Sequence, residues 1–340
     1  MSSVESPENC NSGPGLLPGK WEKKDKQSCI KTRKEDNWTS PMEFLLLGMG
    51  KMPTLQIPLF LLSLIIYLVI VIGNILIVVL VASEQHLHTP MYTFLGTLSF
   101  LETWYSSIIL PRLLASFLTG GRTISAHDCM AQFYFFSCFV ATECYLLGAM
   151  SYDQYLAICQ PLLYASLMTG KICLQLVAAS WLVGMLVSAT VTAFLSQINF
   201  CGHKIIDHFF CDFTPLLQLS CSDTSVVTLV SFLRILFPFL FMLVSYVCIT
   251  AAILRISSNM GRQKTFSTCS SHLNVVTIFY ITLLIAYLLP RTAPLRQLNK
   301  VFSFFYIVLM PLVNPFIYIL RNKEVREALR KALRKAMAST

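Results

Sequence analysis

The sequence predicts an all-α membrane protein: a bundle of seven transmembrane helices followed by a short amphipathic cytoplasmic eighth helix. Three observations carry this. Of 340 residues, 55% are hydrophobic and only 13% are charged, with a mean hydropathy of +0.64, more apolar surface than a soluble core of this length buries. Seven apolar runs, near residues 55–81, 91–118, 129–156, 172–194, 225–252, 267–290 and 301–320, each reach the roughly 18 residues that a helix needs to cross a bilayer. Basic residues gather beside particular runs, as they do on the cytoplasmic side of membrane proteins.

The runs are solidly apolar rather than alternating. Backbone groups in lipid find no water, so each span must satisfy its own hydrogen bonds, which favours helices over a barrel. The expected organisation is an extracellular, largely disordered segment over residues 1–50, the seven-helix domain over 51–320, and a cytoplasmic helix and tail over 321–340.

Charge gives the orientation. The tail carries Arg321, Lys323, Arg326, Arg330, Lys331, Arg334 and Lys335 against Glu324 and Glu327, and the segment before the sixth span carries Arg255, Arg262 and Lys264 without an acid. These ends are assigned to the cytoplasm. Seven crossings then put the N-terminus outside, where seven basic residues up to Lys34 are balanced by seven acids up to Glu43. No apolar signal-peptide core precedes the first span, which is expected to act as an uncleaved anchor in the plasma membrane. The sequon Asn37-Trp38-Thr39 falls on the outer side and is a glycosylation acceptor in this topology.

Twelve cysteines divide by compartment. Cys201, Cys211 and Cys221 lie in the long loop after the fourth span, and Cys129 opens the third span at the same face. Four thiols in an oxidising compartment point to two disulfides. Of three possible pairings, Cys129 with Cys211 and Cys201 with Cys221 is favoured. A metal site using His203, His208 and Cys211 is the rival reading, with an incomplete ligand set. Cys138, Cys144, Cys159, Cys173, Cys248 and Cys269 read as small buried hydrophobes in or near the spans.

Polar groups inside spans are costly unless they face the protein interior, so Asn74, Glu102, Glu143 and Asn314 are functional candidates. Glu102 and Glu143 either share a proton or a cation, with the two amides as neighbours, or serve as protonated packing groups. Arg234, mid-span in the fifth run, is expected to face inward. Pro238 and Pro315 remove helical hydrogen bonds and favour bends, and Asn314-Pro315-Phe316-Ile317-Tyr318 reads as a hinge.

The segments PMYTFLGTLSFLE from Pro90, MSYDQYLAICQPLLY from Met150, Ser245-Tyr246, GRQKTFSTCSSHLNVV from Gly261 and PLVNPFIYILRNKEV from Pro311 resemble the signature segments of olfactory receptors. That family belongs to the rhodopsin-like G-protein-coupled receptors, and the resemblance, to its tetrapod-type class II branch, spans residues 42–336. It implies an odorant receptor that activates a heterotrimeric G protein of the olfactory Gs type and raises cAMP. It also implies a polar cluster of Asn74, Glu102 and Glu143 where related receptors hold a sodium ion, with Cys129–Cys211 as the superfamily disulfide and Cys201–Cys221 as the olfactory-type second bridge. Tyr246, Tyr280 and Tyr318 match aromatic switch positions, and the segment from Lys264 to His272 matches the cytoplasmic start of a sixth helix that moves outward on activation. Asn314 and Pro315 stand in the family's seventh-helix motif.

Asp153-Gln154-Tyr155 aligns with the family's Asp-Arg-Tyr, whose Arg is held by the Asp at rest and contacts the G protein when active. Gln154 keeps hydrogen-bonding atoms but lacks the charge and the five-donor fork, and Asp153 loses that partner. Weakened coupling is the expected consequence. The tail after Arg321 resembles the short eighth helix, with Val325, Leu329, Ala332 and Leu333 as an apolar stripe suited to the lipid surface.

Helix geometry places the odorant among Phe133, Phe136, Ser137, Val140 and Ala141 of the third span, Val230 and Arg234 of the fifth, Tyr280, Leu284 and Tyr287 of the sixth, and Phe304 and Ile307 of the seventh. Such a lining is largely apolar and suits a small hydrophobic molecule, with Arg234 available to a carboxylate. Interhelical packing is the bland alternative for each of these residues. No catalytic residue or nucleic-acid role is expected. Ser267 and His272 lack a third orienting group for an intramembrane enzyme, and the basic residues lie beside spans instead of forming a separate domain. Two alternatives stay open: a non-signalling member of the same family, and a small-molecule transporter, which would need an internal repeat that the chain does not display.

Overall fold

The computed structural model describes residues 43–48, 56–119, 121–200, 205–288, 296–321 and 323–338. Among them, seven helices run 26 residues or longer: α1 (Gln56–Ser83), α2 (Pro90–Thr119), α3 (Ala126–Cys159), α5 (Gly170–Ser196), α7 (Ser225–Leu254), α8 (Asn259–Leu288) and α9 (Arg296–Arg321). They match the seven apolar runs in order. Five are apolar enough in length and composition to cross a membrane on that criterion alone. The other two, α2 and α8, carry Glu102 and Arg112, and the polar turn around Arg262 and Lys264, respectively.

Three shorter helices join these: α4 (Pro161–Leu167), α6 (Phe213–Gln218) and α10 (Lys323–Ala338). A three-stranded sheet lies at the disulfide end of the bundle, with β1 (Glu43–Leu46) between an antiparallel β2 (Arg122–Ser125) and a parallel β3 (Ile205–Ile206). Gly48, at a φ of 65°, turns the chain after β1 and donates its amide to the carbonyl of His208, a left-handed conformation that glycine adopts without Cβ strain.

Burial follows the membrane logic of the sequence. Ile57, Ile65 and Ile72 of α1 are each more than half exposed, outward surface that water would penalise and lipid accepts. The inward face of the same helix holds Ser63, Ile70, Asn74 and Ile77. Helix α3 is the axis: it packs against α2, α5, α7 and α8 and buries twenty of its residues. Its start is capped by the Ser125 hydroxyl, which accepts from the Asp128 amide at 3.1 Å.

The carbonyl freed by the seventh-span proline is satisfied by a neighbouring helix. Pro315 has no N–H, so the carbonyl of residue 311, four positions earlier, loses its helical donor. Asn74 fills that place, donating from Nδ2 to the Pro311 carbonyl at 2.9 Å and to the Ile70 carbonyl at 3.1 Å. Gly73 permits the approach, since a Cβ there would sit 3.3 Å from the ring of Pro315.

Helix α5 meets α3 through small residues. Ser180, Gly184 and Ser188, spaced by four, form its buried stripe, the pattern by which membrane helices come close without a hydrophobic drive. At Gly184 a Cβ would stand 2.2 Å from Thr142 Oγ1 and 2.9 Å from the Thr142 backbone nitrogen. A rotamer change relieves the first contact but not the second, so the helices must separate. Gly184→Ala is therefore expected to destabilise the receptor by about 1–3 kcal/mol, read as a lower melting temperature of the purified protein. An unchanged melting temperature contradicts this packing.

Helix α10 docks on the turn between α1 and α2. Tyr92 donates to Glu324 Oε2 at 2.7 Å and Lys331 pairs with Glu84 at 2.7 Å, while Val325 and Ala328 are buried beneath. The expected stripe is thus partly realised: Val325 faces inward, Ala328 joins it, and Leu329 and Ala332 are half-buried against the core. The Leu333 side chain lies outside the described residues.

Candidate functional site

Two constellations on α3 answer to the sequence expectations, one near mid-helix and one at its basic end. In the first, Phe136, Val140 and Glu143 follow at helical spacing and form one wall of a narrow crevice, completed by Tyr105 of α2, Phe279 of α8, and Ile307 and Met310 of α9. All seven are buried, and the gap between them is too tight for a water molecule.

Of the twelve expected ligand residues, Phe136, Val140 and Ile307 line this crevice. Phe133 is buried above it and stacks on Phe213 of α6 at 6.4 Å. Ser137 accepts a hydrogen bond from the buried guanidinium of Arg234, so that cation faces inward as expected. Ala141 and Tyr280 are buried, Tyr280 tilted against Phe239 at 4.9 Å, whereas Val230 and Phe304 are half-buried. Leu284 is a correction: it is 43% exposed and points out of the bundle, and Leu283 takes the inward place. Three residues after Tyr280, not four, restore the face here. The Tyr287 side chain lies outside the described residues. Tyr105, Phe279 and Met310 were missed, although Met310 stands one turn beyond Ile307, a signal the helical period offers.

The roof is fastened at several points. Cys129 is bonded to Cys211, so the Cys211 sulfur is not available to a metal, and the metal reading of His203, His208 and Cys211 fails; His203 itself lies outside the described residues. Cys221 is also disulfide-bonded, and Cys201, the partner expected from the sequence, lies outside the described residues. Lys300, 2% exposed, pairs with Asp207 at 2.5 Å. Buried His208 stacks on Phe209 at 4.5 Å. Burial, reinforced by the Lys300 charge, pushes its imidazole down to about 3, so it stays neutral. Phe210 then meets Phe136 edge-on at 5.2 Å, so the loop forms the ceiling of the crevice.

Beneath the crevice is the polar core. Asn314 donates to Glu102, and Glu143 of α3 is buried with them. Among the described residues, Asn74 Oδ1, Glu102 Oε2, Glu143 Oε1 and Asn314 Oδ1 are buried without a donor. The hydroxyl of Tyr318 is likewise buried and has no partner among the described residues.

At the basic end of α3, Asp153 has a partner that the sequence did not suggest. Tyr164 of α4 donates to Asp153 Oδ1 at 2.9 Å, so the short helix after the third span holds the carboxylate. Gln154 is 7% exposed. Tyr155 packs with Ile249 and Ile253 of α7 and Cys269 of α8. Tyr246 of α7 bonds His272 of α8 through the imidazole Nδ1, which ties the two helices at this end. The Lys264 side chain and the sequon at Asn37 lie outside the described residues.

Seven long helices with α3 as their axis, roofed by a disulfide-tethered loop, are the architecture of a G-protein-coupled receptor. Comparison with known sequences narrows this. The profile described as Olfactory receptor matches residues 62–336. The chain is 47% identical to human olfactory receptor 6B2 over 88% of its own length and 97% of that protein, and 50% identical to human olfactory receptor 6P1 over 86% and 93%. It is 46% identical to mouse olfactory receptor 5AP2 over 87% and 95%. The chain belongs to the olfactory receptor family. It is an odorant receptor of the plasma membrane and not an enzyme.

Proposed function

We propose that this receptor takes small, mostly hydrophobic odorants into the crevice between α2, α3, α8 and α9 and passes the signal to a stimulatory G protein that raises cAMP. The observation supporting this most directly is the ring of Tyr105, Phe136, Val140, Phe279, Ile307 and Met310 closing over Glu143, a closed, largely apolar seam with one ionisable group at its floor that an odorant opens on entry. The N-terminus is outside and the basic tail inside, where α10 rests against the inner leaflet and its anionic lipids. Odorant entry prises apart the crevice walls, and the movement reaches α8 at the Tyr246–His272 contact. The donor-free oxygens of Asn74, Glu102, Glu143 and Asn314 suit a sodium ion, which supplies positive charge to the polar core when bound.

The test is a cAMP assay on transfected cells with a homologous series of alcohols and aldehydes. Met310→Ala removes a wall of the crevice, so the preferred chain length moves to longer odorants at matched surface expression. An unchanged chain-length preference rejects the crevice as the odorant site. Arg234 adds a second reading of ligand class, because a buried guanidinium with a neutral hydroxyl as its partner is a ready hydrogen-bond donor to carboxylates. A carboxylic acid is expected to be at least about tenfold more potent than its methyl ester, and Arg234→Gln to remove that difference. Equal potency of acid and ester in the parent receptor counts against it. The same framework accommodates a family member that couples poorly, since Gln154 replaces the charge with which the motif reaches the G protein.

A further inference from the structure

We propose that a second cavity, at the disulfide end of the bundle, binds the anionic oxyacid group, carboxylate or phosphate, of a small ligand. The cavity measures about 330 Å³ and lies under the β1–β2 ribbon, between the ends of α2 and α3. Its volume is at the lower end of the range for small-molecule sites. It shares no lining residue with the crevice.

The chemistry of its walls is specific. Arg112 and Ser116 come from α2, Arg122 and Ser125 from β2, Asp128 from the first turn of α3, and Phe209 from the loop. Neither guanidinium has a hydrogen-bond or ion-pair partner among the described residues. Two guanidinium groups facing one cavity repel each other and hold up to ten N–H donors between them. An oxyacid anion between them removes the repulsion and accepts bidentate bonds. The N-terminus of the long helix α3 opens at the same place, adding a favourable field for negative charge. Asp128 is the acid among the lining residues and leaves the walls with one net positive charge. The hydroxyl of Ser116 adds a neutral donor, and Phe209, with Ile124 and Leu46, covers an apolar tail.

The cavity is linked to the crevice through a chain of packed aromatic rings. Phe209 lies 5.1 Å from Phe210, centroid to centroid, and Phe210 lies 5.2 Å from Phe136, which lines the crevice. An anion in this cavity is therefore separated from the odorant by three packed rings, Phe209, Phe210 and Phe136.

The test uses full-length receptor carrying Arg234→Gln, which removes the cation next to the crevice, in phosphatidylcholine nanodiscs. Hexanoate and methyl hexanoate are titrated by saturation-transfer NMR. Hexanoate is expected to bind saturably and the ester at least about tenfold more weakly. Adding Arg112→Gln and Arg122→Gln lowers hexanoate affinity about tenfold or more, whereas Asp128→Asn raises it several-fold; both sets are at the surface, and an unchanged melting temperature verifies folding. Exchanging phosphatidylcholine for phosphatidylglycerol separates the sources: competition with hexanoate that disappears in the double arginine variant identifies a lipid phosphate, and its absence identifies a soluble acid. The proposal is overturned if the ester binds as well as the acid, or if the double variant or Asp128→Asn leaves affinity unchanged. Because the crevice is tested by chain-length preference, that reading can survive this failure, and the converse holds.

Discussion

Replacing Cys211 with serine is expected to remove almost all receptor from the cell surface. The bond to Cys129 closes a loop with a sequence separation of 82 residues, and a crosslink of that span restricts the unfolded chain by about 4.5 kcal/mol. The folded state loses too. Cys129 and Cys211 are both fully buried, so a serine hydroxyl at one position and a thiol at the other are stranded without their bond. The loop also forms the ceiling of the crevice through Phe210 on Phe136, so whatever protein does mature has a loosened roof. Surface labelling of tagged receptor should fall by an order of magnitude or more, and Cys129→Ser should do the same. Cys248→Ser, at an exposed thiol outside the disulfides, should leave the signal near the parent level. Normal surface labelling of Cys211→Ser contradicts the role given to this tether.

The second large effect is a gain. Gln154→Arg is expected to raise the odorant-evoked cAMP response about tenfold at equal surface expression. Position 154 is at the basic end of α3, beside the contact of Tyr155 with α7 and α8, and separation of α8 on activation is expected to uncover it. A glutamine reaching into that space offers a neutral amide, while an arginine offers a charged fork whose single hydrogen bond to a partner is worth about 1.5–3 kcal/mol. The opposing influence is a new ion pair with Asp153 that holds the resting state. Tyr164 already occupies Asp153 at 2.9 Å, which blunts that lock and lets the coupling gain dominate. Tyr164→Phe in the Gln154→Arg background frees Asp153 for the arginine and should bring the response back down. Equal responses from the parent and Gln154→Arg receptors dispose of the argument.

The spans and much of the polar core were legible because both are single-chain signals. An apolar run of bilayer length announces a helix wherever it packs, and Glu102, Glu143 or Asn314 inside such a run stands out by cost alone. Pairings between helices were far less readable. That Tyr164 would hold Asp153 depends on α4 folding back beneath α3, and that Asn74 would serve the carbonyl freed by Pro315 depends on how α1 meets α9. The crevice was found through α3, where Phe136 and Val140 share a face, and was half missed elsewhere, since on α8 a face read one residue off exchanges Phe279 for Tyr280. The small sheet gave almost no signal: Glu43–Leu46 alternates burial over only four residues, and β3 spans two.

Every step from crevice to coupling face requires that the disulfide end faces outward and the basic end faces the cytosol. Epitope tags at the two termini, probed on intact and then on permeabilised cells, test this directly. The account predicts that the amino-terminal tag stains intact cells and the carboxy-terminal tag stains only after permeabilisation; staining of both tags on intact cells, or of neither until permeabilisation in cells where the receptor has reached the surface, contradicts it.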